Sequence, residues 1–210
     1  MHTTIKNLLD IESKINNKAK IIAVSKTFPI DKILPLIEHG HTDFGENKVQ
    51  EATEKWTEIK KINSQIKLHM IGKLQTNKVK FAVQIFDYIH SVDSEKLAKK
   101  IADESKKLNK KIKIFIQVNI GDEEQKSGIN KNELDQLVFY SKEIGLNVIG
   151  LMCIPPANID TKGYFEEMNK LNKALGFTEL SMGMSSDFDI AVKHSSTYVR
   201  VGSSIFGQRF

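Results

Sequence analysis

The sequence predicts an α/β fold, a single-domain (β/α)8 TIM barrel spanning residues 1–210, on three observations. Short β-rich runs alternate with amphipathic helical segments along the whole chain. There are about eight such runs, and a helical segment before the first could close the ring. No Gly/Ser/Pro-rich stretch divides the chain, and no internal repeat recurs. The other architecture with this alternation is an open doubly wound sheet.

Taken in order, Ile5, Leu8, Leu9, Ile11 and Ile15 recur at helical spacing and predict an N-terminal helix at about 2–17. The candidate strands are "IIAVSK" (21–26), "TDFGE" (42–46), "KLHMIG" (67–72) and "FDYIHSV" (86–92). "KIFIQVNI" (113–120), "NVIGLMCI" (147–154), "TELSMG" (178–183) and "YVRVG" (198–202) complete the series. Between them, 94–108 places Leu97, Ile101 and Leu108 on one helical face, and 131–144 does the same with Leu134, Leu137, Val138 and Ile144.

Composition narrows the class. With 40% hydrophobic and 27% charged residues, the chain reads as an ordinary soluble domain. No apolar run approaches the roughly 18 residues of a membrane span, and the charged N-terminus does not read as a secretory signal. A single cysteine, Cys153, excludes an intramolecular disulfide framework and predicts a reducing, cytoplasmic setting. A net charge of +5 and a pI of about 9.1 raise the question of nucleic acid. The lysines are spread along the chain without interleaved aromatics, so no specific nucleic-acid partner is expected, and the surplus favours anionic small molecules.

In a (β/α)8 barrel the functional groups collect at the C-terminal ends of the strands, and phosphate often binds after strands 7 and 8. Lys26 closes the first predicted strand, where it either carries its charge out to water or stands in a half-dry pocket as a nucleophilic amine. "MGMSSD" (182–187) and "VGSSIFG" (201–207) follow the seventh and eighth strands. Both pair glycine with hydroxyls, chemistry suited to phosphate oxygens.

Other motifs carry two readings each. In "FGENKVQE" (44–51), Asn47 with Gln50 resembles a capping box, and Asn47 could equally bond a ligand hydroxyl. His69, on an apolar strand, is either a satisfied core histidine or a catalytic one. Lys73 and Lys78 read as surface charges or outer anion contacts, and Lys126 as a loop lysine or an entrance guard. Cys153 fits a small core residue better than a nucleophile. Arg200, inside an apolar strand, needs either a structural carboxylate partner or a ligand acceptor at the barrel mouth. No HExxH, CxxC, P-loop or G-x-S-x-G pattern occurs.

With "AVSKT", "FGENKVQE", "HMIGKLQTNK", "GLMCI", "LSMGMSSD" and "VRVGSSIFG" all present in order, the chain resembles the pyridoxal phosphate homeostasis protein family over its whole length. The resemblance implies a barrel similar to the N-terminal domain of alanine racemase. It also implies pyridoxal 5'-phosphate (PLP) held as an imine on Lys26. Arg200 would face the pyridine nitrogen, Ser185, Gly202 and Ser203 would hold the phosphate, and Asn47 would lie beside the ring. The implied role is a monomeric carrier that keeps PLP in balance and hands it to apoenzymes, without a catalytic reaction of its own. A PLP-dependent amino-acid racemase is the alternative on the same site, and a cofactor-free, RNA-associated barrel is a third reading. Two departures stand out: the family usually has threonine at the position of Ser203 and often glycine at that of Ser195.

Overall fold

The computed structural model describes residues 2–208. Helix α1 (Thr3–Lys14) leads into β1 (Lys20–Val24), α2 (Ile30–Glu38), β2 (Asp43–Glu46), α3 (Val49–Ile62), β3 (Lys67–Met70), α4 (Val79–Ile85) and β4 (Tyr88–Val92). The second half runs α5 (Glu95–Lys107), β5 (Lys113–Val118), α6 (Leu134–Glu143), β6 (Asn147–Cys153), α7 (Lys162–Ala174), β7 (Glu179–Met184), α8 (Phe188–Lys193), β8 (Tyr198–Val201) and α9 (Ser203–Phe206).

Among the described residues the eight strands are parallel and close into a barrel in chain order, with β1 pairing β8 from Lys20 opposite Tyr198 to Ala23 opposite Val201. That pairing removes the open doubly wound sheet. Each predicted strand lies where the sequence put it, with no end shifted by more than two residues. The predicted helix at 131–144 begins instead as a 3₁₀ turn over Lys131–Glu133 before α6.

Strand alternation sorts the side chains into two cores. Outward-facing residues such as Phe44, Ile89, Ile114 and Val199 pack under the helices, where Trp56 of α3 meets Phe44 at 4.8 Å between ring centroids. Inward, Ile22, Tyr88, Phe115, Met152 and Tyr198 fill the barrel. This two-residue period explains Arg200, which shares the inward row of β8 with Tyr198 while Val199 and Val201 face the helices.

Helix α1 packs against α2 and α9, and Asn7 Nδ2 donates to the Ile205 carbonyl at 2.9 Å. The N-terminal segment thereby supports the turn of α9 that follows β8. Ser195, in the turn between α8 and β8, has φ 70°, the left-handed region that glycine adopts without cost. No helix among the described residues is long and apolar enough to cross a membrane.

Candidate functional site

A cavity of about 570 Å³ opens at the C-terminal end of the barrel, and all six sequence-predicted residues line it: Lys26, Asn47, Ser185, Arg200, Gly202 and Ser203. Val24, Ile71, Ile154 and Met184 supply apolar wall, and Ser186 and Gln208 add polar groups. Among the described residues that line it, Lys26 and Arg200 are the charged groups and none is a carboxylate. That sign of charge favours an anion.

Lys26 lies two residues beyond the end of β1, half-buried. Its backbone is clamped from both sides. Ser25 Oγ donates to Glu46 Oε1 at 2.8 Å, and Lys55 Nζ bonds the Ser25 carbonyl at 2.9 Å. On the other side the Thr27 N–H donates to Glu51 Oε1 at 2.5 Å. Lys55 ties the two carboxylates together, at 3.0 Å from Glu46 and 2.9 Å from Glu51, while Trp56 Nε1 also donates to Glu46. Thr27 itself has φ 67°, a costly conformation for a β-branched residue. The clamp holds that strained turn, and the turn sets where the Lys26 side chain leaves the strand. Burial would raise the Glu51 carboxyl, but the Thr27 N–H and the Lys55 ammonium outweigh it and hold it below the usual range. None of Glu46, Glu51 or Lys55 was singled out from the sequence. The one local signal that could have found any of them is the i,i+4 spacing of Glu51 and Lys55 on a helix.

Asn47 reaches the cavity because of its neighbour Gly72. A Cβ on Gly72 would lie 2.5 Å from the Asn47 carbonyl oxygen and 2.8 Å from its Cα, so only glycine permits this approach of the β2 and β3 ends. The capping-box expectation is overturned. Helix α3 starts at Val49 with Lys48 in the cap position and no side-chain cap bond, and Gln50 bonds Glu54 instead. The chain stays extended through Lys48, which leaves Asn47 on the cavity wall rather than at the helix end.

At the opposite wall the Ser185 hydroxyl accepts the Gly202 N–H at 3.3 Å and the Ser204 N–H at 3.5 Å. Backbone donors after β8 thus converge on an oxygen carried by the loop after β7. Ser203 presents an exposed hydroxyl on the same rim. A Cβ on Gly202 would meet Val24 at 3.4 Å, ordinary contact, so glycine here keeps the wall open rather than relieving a clash. Converging amides, hydroxyls and nearby cations form a donor set that fits a phosphate.

Arg200 is 4% exposed, and none of the ion pairs among the described residues includes it. This settles its structural reading against a carboxylate partner. Its Nη1 donates to Ser181 Oγ at 2.7 Å and its Nη2 to the Cys153 carbonyl at 2.8 Å. Two of its five N–H donors are taken there, and the group borders the cavity. Burial lowers the guanidinium pKa, opposed by Cys153 and Asp187. Cys153 is fully buried with its thiol pushed up to about 12 by desolvation, the behaviour of a core residue.

The remaining motif residues fall outside the cavity lining. His69 is buried with both ring nitrogens hydrogen-bonded, the satisfied core histidine of the two readings. Lys73 and Lys78 are exposed. Lys126 pairs with Glu123 and donates to the Pro155 carbonyl at 3.2 Å, strapping the loop after β5 to the end of β6. No group of three or more potential metal ligands occurs among the described residues.

Barrel and site together define a protein of the alanine racemase N-terminal domain class, whose profile matches residues 3–209. The chain belongs to the pyridoxal phosphate homeostasis protein family. The Aquifex aeolicus member is 37% identical over 203 residues, covering 92% of this chain and 88% of its own. The Escherichia coli K12 member is 33% identical over 229 aligned residues, covering 100% and 98%. Among solved structures, PipY of Synechococcus elongatus with PLP bound superposes with a TM-score of 0.87 at 34% identity, covering 97% of this chain and 100% of its own. Clostridium difficile alanine racemase shares the barrel alone, with a TM-score of 0.77 at 16% identity over 57% of its length.

Proposed function

We propose that this chain binds PLP as an imine on Lys26 and acts as a carrier that keeps the cofactor in balance, rather than as a turnover enzyme. The observation that carries this reading is that one cavity joins a half-buried lysine, a buried arginine and a hydroxyl–amide cluster suited to phosphate. The PLP-bound relative supports it. When bound, PLP supplies an aldehyde that condenses reversibly with amines and a ring that withdraws electrons.

The chain's own groups do the rest. Ser185, Ser203 and the Gly202 amide hold the phosphate, which fixes the ring relative to Lys26. Asn47 borders the ring and can donate to its hydroxyl oxygen. Arg200 donates to the ring nitrogen but does not give up its proton, because a guanidinium stays charged in proteins. It therefore supports less negative charge on the ring than a carboxylate partner would. The lining, among the described residues, includes no Tyr, His, Cys, Asp or Glu. A racemase needs a second acid/base group across from its lysine, and this set offers none. Amines exchanging at Lys26 would release the cofactor to apoenzymes, in the cytoplasm, from a monomer.

The test is to add PLP to the purified protein, record the visible absorption band, reduce with borohydride and map the labelled peptide. Label on Lys26, and loss of the band in Lys26→Ala, are the expected results. A missing band, or label elsewhere, defeats the reading. Solvent exchange of an amino acid's α-proton at useful turnover, dependent on Lys26, would make the protein a racemase instead.

A further inference from the structure

Beneath the cavity a line of buried polar groups crosses the barrel interior. Asp43 at the start of β2 meets His69 of β3, with Oδ1 and Nε2 at 3.0 Å. His69 Nδ1 lies 2.9 Å from His90 Nε2 on β4, and His90 Nδ1 lies 2.9 Å from Ser181 Oγ on β7. Ser181 Oγ is in turn 2.7 Å from Arg200 Nη1 on β8. His69, His90 and Ser181 are each 0% exposed. Aromatic neighbours hold the imidazole planes: His69 stacks on Tyr88 at 4.2 Å and His90 on Phe115 at 4.3 Å.

Donor counting leaves one arrangement for this line when both rings are neutral. The Asp43 carboxylate only accepts, so His69 must donate from Nε2 and its Nδ1 must accept. His90 therefore donates from Nε2, and its Nδ1 accepts the Ser181 hydroxyl. Arg200 can only donate, and it supplies Ser181 Oγ. Every donor then points from Arg200 towards Asp43. Burial, which lowers the pKa of both histidines, favours the neutral rings that this arrangement needs.

We propose that Asp43, His69, His90 and Ser181 are positioning residues for Arg200, fixing its guanidinium as a donor-only group at the cavity wall. Asp187 acts on the buried Arg200 cation only through space, and no ion pair among the described residues holds it, so its hydrogen-bond partners decide where it stays. Polarised hydrogen bonds pass part of the Asp43 charge to it through two imidazoles, and Ser181 is prevented from turning its proton towards the cavity. Arg200 keeps its orientation before a ligand arrives, so little rotamer freedom is lost on binding. This inference rests on the proposed function for what Arg200 touches, but the line itself is a property of the cofactor-free chain.

The experiment begins with ¹⁵N NMR of the cofactor-free protein at neutral pH. His69 and His90 should both be protonated at Nε2 and bare at Nδ1, and the Arg200 guanidinium N–H signals should be sharp. His90→Phe, which keeps a ring against Phe115, should broaden those signals, and His90→Gln, with a donor and an acceptor at similar reach, should restore them. In the PLP-loaded protein, His90→Phe should shift the absorption band and weaken binding by about three- to tenfold, the scale of one net hydrogen bond. Asp43→Asn should act in the same direction more weakly, and it covers the case in which His90→Phe does not fold. An Nδ1–H tautomer or a charged ring at either histidine overturns the proposal. So do unchanged Arg200 signals and an unchanged band in folded His90→Phe. Failure of wild-type protein to label at Lys26 would defeat the proposed function instead, leaving the ¹⁵N result to decide this one.

Discussion

At the N-terminal end of the barrel, inward-facing Tyr88 and Tyr198 take hydrogen bonds from Lys113 at 3.0 Å and Lys20 at 3.1 Å, and above them the polar line runs from Asp43 through His69 and His90 to Ser181 and Arg200. At the C-terminal end, the same inward rows finish in Val24, Gly202 and Arg200 around open space, with amide donors converging on a single hydroxyl. One end spends its polar groups on each other; the other holds donors in place for something else. The two ends also use different electrostatics. A charged clamp of Glu46, Glu51 and Lys55 supports the Lys26 turn, whereas neutral imidazoles span the lower interior. A buried ion pair tolerates no loss of one partner, while a neutral line responds to pH.

The largest expected effect comes from breaking the clamp. Lys55→Met would leave the Glu46 carboxylate, 0% exposed and already with Oε2 unpartnered, without its cation. A loss of about 3–5 kcal/mol is expected, read by denaturant unfolding. Adding Glu46→Gln should recover part of it, because the stranded charge is then gone. If Lys55→Met unfolds like wild type, the Lys26 turn is not held by this ion pair.

Next is Gly72→Ala, which tests how the upper end is shaped. The added methyl would strike Asn47 backbone rather than a flexible side-chain tip. Strain of about 1–3 kcal/mol is expected, with weaker PLP binding because Asn47 is displaced from the wall. Unchanged stability together with unchanged binding would mean that the two strand ends separate without consequence for the site.

The lower interior should show itself in pH dependence. Burial lowers the pKa of His41, His69 and His90, so the unfolded chain takes up protons that the folded one does not. Stability is therefore fully present above about pH 6.5 and falls as the pH drops below it, by up to about 1.4 kcal/mol per pH unit for each histidine. Asp43 acts in a separate window. Its carboxyl would be raised by burial, but the His69 hydrogen bond and charge, with Thr42 and His41, hold it at about 2. Its contribution is lost only as the pH falls from about 4 towards 2. Thermal unfolding from pH 8 to 5 should show a fall in midpoint that His90→Phe reduces; an equal fall in that variant would remove His90 from the cause.

The contrast between the ends also explains what could be read in advance. The strands are legible because β-branched runs alternate with helical periodicity, and Lys26 and the segments 182–187 and 201–207 because barrel topology sends strand ends to one face; within those segments only the family resemblance singles out Ser185, Gly202 and Ser203. Arg200 was noticed as a charge in an apolar strand, yet its partners were not, since Ser181 and Cys153 stand on other strands. The polar line joins groups on β2, β3, β4, β7 and β8, so no local pattern carries it. Of the two readings of Asn47, the cap fails although Asn with Gln three residues on satisfies the local rule, because the close packing at Gly72 that decides its place is tertiary.

The smallest effect tests how finely the upper end is tuned. Ser203 offers its hydroxyl from an exposed position on the rim. Ser203→Thr keeps the donor and adds a methyl facing solvent, so stability should move by less than about 0.5 kcal/mol. PLP affinity should be nearly unchanged. Ser203→Ala, in contrast, removes the donor and should weaken binding by about three- to tenfold. The pair separates hydroxyl chemistry from packing: equal affinities for both variants would mean that backbone amides and Ser185 alone grip the phosphate, and that the rim hydroxyl serves only to keep the turn after β8 hydrated.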